Sequence, residues 1–130
     1  GFVETADRVA RRRGCCVHMT EILDYLDDIR EAVEKIERFT NGMEYDEFTE
    51  DPKTVDAVLR NFEVIGEAAK NIPEDVRREY SDVPWSEMAG MRDKLIHGYA
   101  TIDLQIVWTT IQEEIPALAS QIKSVRNEFE

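Results

Sequence analysis

Residues 20–40 read TEILDYLDDIREAVEKIERFT, and this stretch decides the fold class. Its apolar residues recur at alternating intervals of four and three, which is the spacing of one face of an α-helix. Thr20 stands just before this pattern and predicts the N-cap, while Asn41 and Gly42 predict the end of the helix. The predicted buried stripe consists of Ile22, Leu26, Ile29, Val33 and Ile36.

A second helix is predicted to begin at Asp51 or Pro52. Gly66 lies in its middle, where glycine lowers helix stability by about 1 kcal/mol, so we expect close packing against a neighbouring helix there. On its polar face, Glu63 and Glu67 are predicted to form surface ion pairs with Lys70. The predicted buried stripe is Val55, Val58, Leu59, Phe62, Ile65 and Ala69.

Two more long helices complete the pattern. The third is predicted to begin near Pro84 and to direct Met88, Met91 and Leu95 inward. The fourth is predicted to be capped by Asp103 and kinked by Pro116, which lacks the N–H that a helix interior needs. Its inward residues are Leu104, Val107, Trp108, Ile111, Ile115, Leu118 and Ile122.

Shorter segments join these helices. Residues 73–80 are predicted to form a short charged helix, and residues 43–51 an acidic loop anchored by Tyr45 and Phe48. No stretch alternates apolar and polar residues as a half-buried strand does. The sequence therefore predicts an all-α fold, an antiparallel bundle of four main helices plus one short helix.

Length and composition indicate one folded domain, since 130 residues with 42% hydrophobic content suffice for a single core. We expect this domain to span residues 19–130, with Met19 as the natural beginning. Residues 1–18 have no sustained apolar period and are predicted to be a disordered extension, natural or added to the chain. Three consecutive arginines at 11–13 leave an RNA-binding arm as the alternative.

The net charge is −12, and it is unevenly distributed. Residues 1–18 hold four arginines against two acidic residues, a net of +2, which leaves −14 for residues 19–130. A general nucleic-acid-binding domain usually presents a basic face. Any RNA site is therefore expected to be a local basic pocket in an acidic surface.

Cysteine and hydropathy patterns indicate a soluble cytoplasmic protein. Cys15 and Cys16 are adjacent and cannot form a disulfide framework. With His18 they make a short cluster that lacks the four spaced ligands of structural zinc, so no metal site is predicted. No apolar run approaches the roughly 20 residues of a membrane span, so no membrane association is expected.

Residues 91–99 read MRDKLIHGY and are the strongest candidate for chemistry. They combine a guanidinium, which suits phosphate, with an imidazole, which exchanges protons near neutral pH. On one straight helix Arg92 and His97 lie about 140° apart and do not face the same atom. Either Gly98 ends the helix in a left-handed conformation and redirects Tyr99, or dimerisation supplies a second copy of the motif.

Arg92, His97 and Tyr99 resemble the Arg-x4-His-x-Tyr motif of the HepT-like toxins, a branch of the HEPN superfamily. The resemblance extends from residue 19 to the C-terminus, which makes it fairly specific. It includes residues 60–68 (RNFEVIGEA), 83–85 (VPW) and 102–108 (IDLQIVW), with Pro116 downstream.

The resemblance implies a metal-independent RNase of a toxin–antitoxin pair that needs no cofactor. It implies a homodimer with two Arg–His motifs across the symmetry axis, in which His97 is the general acid or base and Arg92 stabilises charge on the phosphate. It also implies that Tyr99 accepts AMP from a cognate MntA-type nucleotidyltransferase, the antitoxin.

Three more residues are predicted to border the site. Asn61 and Glu67 lie on the polar face of the second helix, and Asp93 follows Arg92 directly and is a possible ion-pair partner. The alternative to an enzyme is a non-catalytic helical module that binds a nucleotide or a protein. Cleavage of RNA by the purified protein distinguishes the two.

Overall fold

A computed structural model of the protein describes residues 16–98 and 102–129, with side chains from residue 19 onward. All regular secondary structure in these two ranges is α-helical, so the predicted all-α fold class is confirmed. The helices are α1 (Cys16–Thr40), α2 (Tyr45–Thr49), α3 (Pro52–Asn71), α4 (Glu74–Glu79), α5 (Trp85–His97), α6 (Leu104–Glu113) and α7 (Ile115–Phe129).

The central helix of the bundle is α3. It makes the most extensive contacts, with α5 and with α1, and α7 packs against α1. Each predicted stripe supplies the core: Leu26 and Ile36 of α1, Ile65 of α3 and Ile122 of α7 are all buried. The start of α3 is also as predicted, because Asp51 accepts a hydrogen bond from the backbone N–H of Thr54 at 3.3 Å and Pro52 occupies the first turn.

Two predictions near the N-terminal half are wrong. Thr20 does not cap α1, because the helix already begins at Cys16 and nothing in the intervening residues breaks it. Residues 45–49 form α2 rather than a loop. A reciprocal cap starts α2, with the backbone N–H of Glu44 donating to the carboxylate of Glu47 at 3.0 Å. Phe48 anchors this segment in the core as predicted.

The predicted fourth helix is interrupted at Glu114, so α6 and α7 replace one kinked helix. Pro116 is the second residue of α7, a position where its missing N–H costs no helical bond. Asp103 caps α6 as predicted by accepting from the N–H of Gln105 at 2.9 Å. Within the described ranges, no helix is long and apolar enough to cross a membrane.

Candidate functional site

Helix α5 carries the candidate site, and its inward face is firmly anchored. Trp85 begins the helix, is buried, and donates from its indole N–H to the carbonyl of Tyr80 at 3.1 Å. Met88 and Leu95 are buried on the same face, whereas Met91 is only partly buried. Because this face packs against the core, Arg92 lies at the edge of the bundle and His97 projects from its end.

Gly66 sets the distance between α3 and α5. A Cβ atom built on Gly66 would lie 2.7 Å from the carbonyl oxygen of Met88, and closer still to Cβ of Arg92. The aliphatic stem of Arg92 therefore packs directly on the backbone of α3. The close approach predicted from the mid-helix glycine is present, and its partner is the candidate catalytic arginine.

The guanidinium of Arg92 lies between two carboxylates. Its Nε is 2.8 Å from Oε2 of Glu67, and its Nη1 is 3.4 Å from Oδ1 of Asp93. Lys70 lies 3.2 Å from the same oxygen of Asp93, so one carboxylate bridges two cations. The predicted pairing of Lys70 with Glu63 and Glu67 is wrong, because α5 offers Lys70 a partner and Glu63 pairs with Arg60 instead.

Asp93 stays ionised near neutral pH. The hydrogen bond from Lys70 lowers the pKa of the Asp93 carboxyl below its ordinary value of 3.8. Burial opposes this shift, and the charge of Lys70 and the contact with Arg92 add to it. The two acidic groups at Arg92 therefore compete with any phosphate for the guanidinium.

His97 is the last residue of α5, and its side chain is exposed. Its Nδ1 lies 2.9 Å from the backbone carbonyl oxygen of Asp93. A carbonyl oxygen only accepts, so Nδ1 carries the proton in this hydrogen bond. In the neutral ring Nε2 then bears the lone pair, which is the arrangement that a general base requires.

Gly98 follows His97 and ends α5, but not in the predicted way. Its φ is −145° rather than positive, and its N–H still donates to the carbonyl of Lys94 at 2.9 Å. The left-handed turn that was predicted to redirect Tyr99 is therefore wrong. Tyr99 itself lies outside the described residues.

One chain does not bring Arg92 and His97 to the same place. α5 is continuous from Trp85 to His97, so the angular separation expected from the sequence persists. Arg92 lines a cleft of about 240 Å³ between α1, α3 and α5, together with Glu67 and Ile96. His97 lines a different cleft of about 420 Å³ with Gly98 and Ile106.

The three site-bordering predictions have different outcomes in the structure. Glu67 and Asp93 both contact Arg92. Asn61 is buried, and its amide donates to the carbonyl of Ala57 at 2.8 Å, a bond within its own helix. Sequence reasoning missed Asn71, whose amide donates to Glu67. Its spacing of four residues on the same helix face was the available signal.

Among the described side chains, no three His, Cys, Asp or Glu residues come together as a possible metal site. The Cys15, Cys16 and His18 cluster lies outside the described side chains.

These features define an all-α protein with an arginine and a histidine at the end of one helix, and comparison with known proteins identifies its class. The family model described as Ribonuclease HepT-like matches residues 29–125. The chain therefore belongs to the HepT-like family of the HEPN superfamily, as the motif predicted.

Several curated relatives share most of their length with this chain. A protein of Thermococcus cleftensis named as a probable ribonuclease HepT is 50% identical over 103 residues, which cover 79% of this chain and 94% of the relative. Proteins of Caldanaerobacter subterraneus and Methanocaldococcus jannaschii, both named as candidate RNases, are each 44% identical. The first match covers 78% of this chain and 90% of the relative, and the second covers 85% and 91%. No solved structure matches the chain.

Proposed function

We propose that this protein is a metal-independent endoribonuclease that acts as a homodimer, with Arg92 and His97 from two chains meeting in one cleft. Membership of the HepT-like family and the names of its relatives support RNA as the substrate. The last two turns of α5 carry the two groups on which the proposal depends. The guanidinium of Arg92 is fixed by Glu67, and the exposed imidazole of His97 has its Nε2 available to accept a proton.

RNA supplies its own nucleophile, so these two residue types suffice for the reaction. Nε2 of His97 removes the proton of a 2′-hydroxyl, and the 2′-oxygen forms a bond to the adjacent phosphorus as the bond to the 5′-oxygen breaks. The leaving oxygen takes a proton from an imidazolium or from water, which leaves a 2′,3′-cyclic phosphate and a 5′-hydroxyl. Arg92 stabilises the charge that builds on the non-bridging oxygens.

The separation of the two clefts supports the dimer. Arg92 and His97 line different clefts of the same chain, which supports a second chain as the source of the imidazole that acts beside each guanidinium. Ile96 is 49% exposed and Ile106 is 60% exposed, and each lines one of these clefts. Exposed apolar side chains beside both halves of the site fit a surface that a second copy covers.

Cleavage of RNA in excess EDTA tests the proposed function. We expect the purified protein to cut single-stranded RNA oligonucleotides and total tRNA at the same rate with EDTA as with added Mg²⁺, because the mechanism uses only protein groups. Gel analysis should show products that end in a cyclic phosphate. Cleavage only with a divalent ion would contradict the mechanism, and no cleavage of any RNA would favour the binding module.

We further propose that the protein is the toxin of a toxin–antitoxin pair and that a cognate MntA-type nucleotidyltransferase transfers AMP to Tyr99. The phenolic oxygen would attack the α-phosphorus of ATP and release pyrophosphate. Tyr99 follows the exposed end of α5, two residues after His97. A negatively charged adenylate beside His97 would block the cleft and repel an RNA phosphate.

Tyr99→Phe is expected to separate regulation from catalysis. Only one oxygen is removed and His97 performs the proton transfer, so RNA cleavage should stay within about threefold of wild type, far below the 10²–10⁴-fold loss of a general base. The variant should resist inactivation when it is incubated with the nucleotidyltransferase and ATP, and mass spectrometry should find AMP only on the unaltered protein. AMP on Tyr25, Tyr45 or Tyr80 would show the assignment to be wrong.

A further inference from the structure

Glu67 contacts Nε of Arg92, the atom that sets the orientation of the guanidinium plane. The carboxylate contacts Nε at 2.8 Å, at the hinge between the aliphatic stem and the guanidinium plane. The carboxylate itself is oriented by Asn71, whose amide lies 3.5 Å from its second oxygen and donates to the Glu67 backbone carbonyl at 3.0 Å. Glu67 therefore holds one atom of the candidate catalytic residue, and Asn71, one turn later on α3, contacts Glu67.

The stem of Arg92 is constrained from the same helix. Gly66 allows Cβ and Cγ of Arg92 to pack on the α3 backbone, so the side chain leaves α5 in a fixed direction. Glu67 contacts Nε of the guanidinium, and Asp93 lies near Nη1. The third nitrogen, Nη2, has no hydrogen-bond partner in the described part of the chain. That edge is available to non-bridging phosphate oxygens.

This ion pair adds little to stability. The side chains of Arg92 and Glu67 are 26% and 55% exposed, and ion pairs near the surface contribute little to the free energy of unfolding. A carboxylate beside a phosphate-binding arginine also opposes the binding of RNA. The Glu67 carboxylate therefore weakens RNA binding, and this loss would be offset if the carboxylate also orients the guanidinium of Arg92 for the reaction.

We propose that Glu67 is a positioning residue for the RNase reaction: it holds Nε of Arg92 so that the Nη2 edge faces the scissile phosphate. This inference rests on the proposed function. It assigns Glu67 two effects of opposite sign, because the carboxylate weakens RNA binding through its charge and speeds cleavage through the placement of Arg92.

Glu67→Ala separates these two effects. The single-turnover rate at saturating RNA should fall by about tenfold or more, since a catalytic group misplaced by about 1 Å costs up to about 10²-fold. The Kd for a non-cleavable 2′-O-methyl oligonucleotide of the same sequence should stay equal or become tighter, because one negative charge has left the phosphate site. A loss of rate without a loss of affinity is a result that a purely structural role would not give.

Two further variants sharpen the test. Glu67→Gln keeps the shape and one oxygen acceptor, so its single-turnover rate should stay within about threefold of wild type. Glu113→Gln removes the same charge from an exposed carboxylate of α6 that lines neither the Arg92 cleft nor the His97 cleft, and should leave the rate unchanged. Thermal melts of all three variants should match wild type, because none removes a buried group.

Four outcomes would overturn the proposal. They are an unchanged rate in Glu67→Ala, an affinity that weakens as much as the rate falls, an equal loss of rate in Glu113→Gln, or an equal loss in Glu67→Gln. Cleavage by wild type with an unchanged Glu67→Ala rate refutes only the positioning role. Absence of RNA cleavage by wild type refutes the proposed function and the positioning role with it.

Discussion

Replacing His97 or Arg92 with alanine is expected to lower the rate of RNA cleavage by about 10²–10⁴-fold, because the first removes the proton acceptor and the second the cation that stabilises the phosphate. Both variants should remain folded. His97 is exposed at the end of α5, and the guanidinium of Arg92 lies at the edge of the bundle, so neither change opens a cavity in the core.

Single-turnover cleavage of a fluorescent RNA, with circular dichroism to confirm the fold, measures this loss. Arg78→Ala provides the control, since Arg78 is an exposed arginine of α4 that lines neither the Arg92 cleft nor the His97 cleft. It should cleave RNA like wild type. Cleavage by folded His97→Ala at the wild-type rate would eliminate this residue as the base, and an equal loss in Arg78→Ala would indicate a general effect of charge.

Gly66→Ala is expected to damage both the fold and the site. A methyl group on Gly66 meets the backbone carbonyl of Met88 and the stem of Arg92, neither of which moves without shifting α5. Overpacking of this kind costs about 1–3 kcal/mol in the free energy of unfolding, which exceeds the roughly 1 kcal/mol that alanine gains over glycine in a helix. Displacement of Arg92 should also slow RNA cleavage by at least about tenfold.

Gly90→Ala is the matched control for this substitution. Gly90 is also a mid-helix glycine, in α5, but a Cβ atom there would meet nothing within 4 Å. Its replacement should stabilise the protein by up to about 1 kcal/mol and leave cleavage unchanged. Urea unfolding and single-turnover assays on both variants measure the difference. A Gly66→Ala variant as stable and active as Gly90→Ala would contradict the packing described here.

The sequence predicted the helices better than the contacts between them. Apolar spacing located Leu26, Ile65 and Ile122 in the core because burial follows directly from helical periodicity. The Asp51–Pro52 start and the close approach at Gly66 followed from local conformational preferences. Features of this kind depend on a few neighbouring residues, so one chain contains enough information to infer them.

The errors arose at the ends of helices or where a partner came from another helix. Pro116 correctly predicted an irregularity in the last helix, but the sequence did not predict that the helix would be interrupted at Glu114. Gly98 was expected to take a positive φ, but its φ is −145°, since glycine populates negative φ as readily as positive φ. The contact between Glu67 and Arg92 depends on how α3 and α5 align, which no local pattern specifies.

The candidate site was likewise predicted only in part from the sequence. The motif identified Arg92 and His97, and the separation of about 140° on a straight helix already indicated that one chain does not bring them together. The structure retains that separation and places the two residues in different clefts. How two chains would meet over these clefts depends on an interface that a single chain does not contain.

Mixed dimers of Arg92→Ala and His97→Ala test the shared site most directly. The two variants, co-expressed with different affinity tags and purified through both tags in turn, yield only heterodimers. If Arg92 of one chain acts with His97 of the other, one of two equivalent sites is intact and cleavage returns to about half of the wild-type rate. If both residues act within one chain, cleavage by the heterodimer stays as low as in either variant alone. If the chains do not associate, no protein carries both tags, and either result contradicts the account.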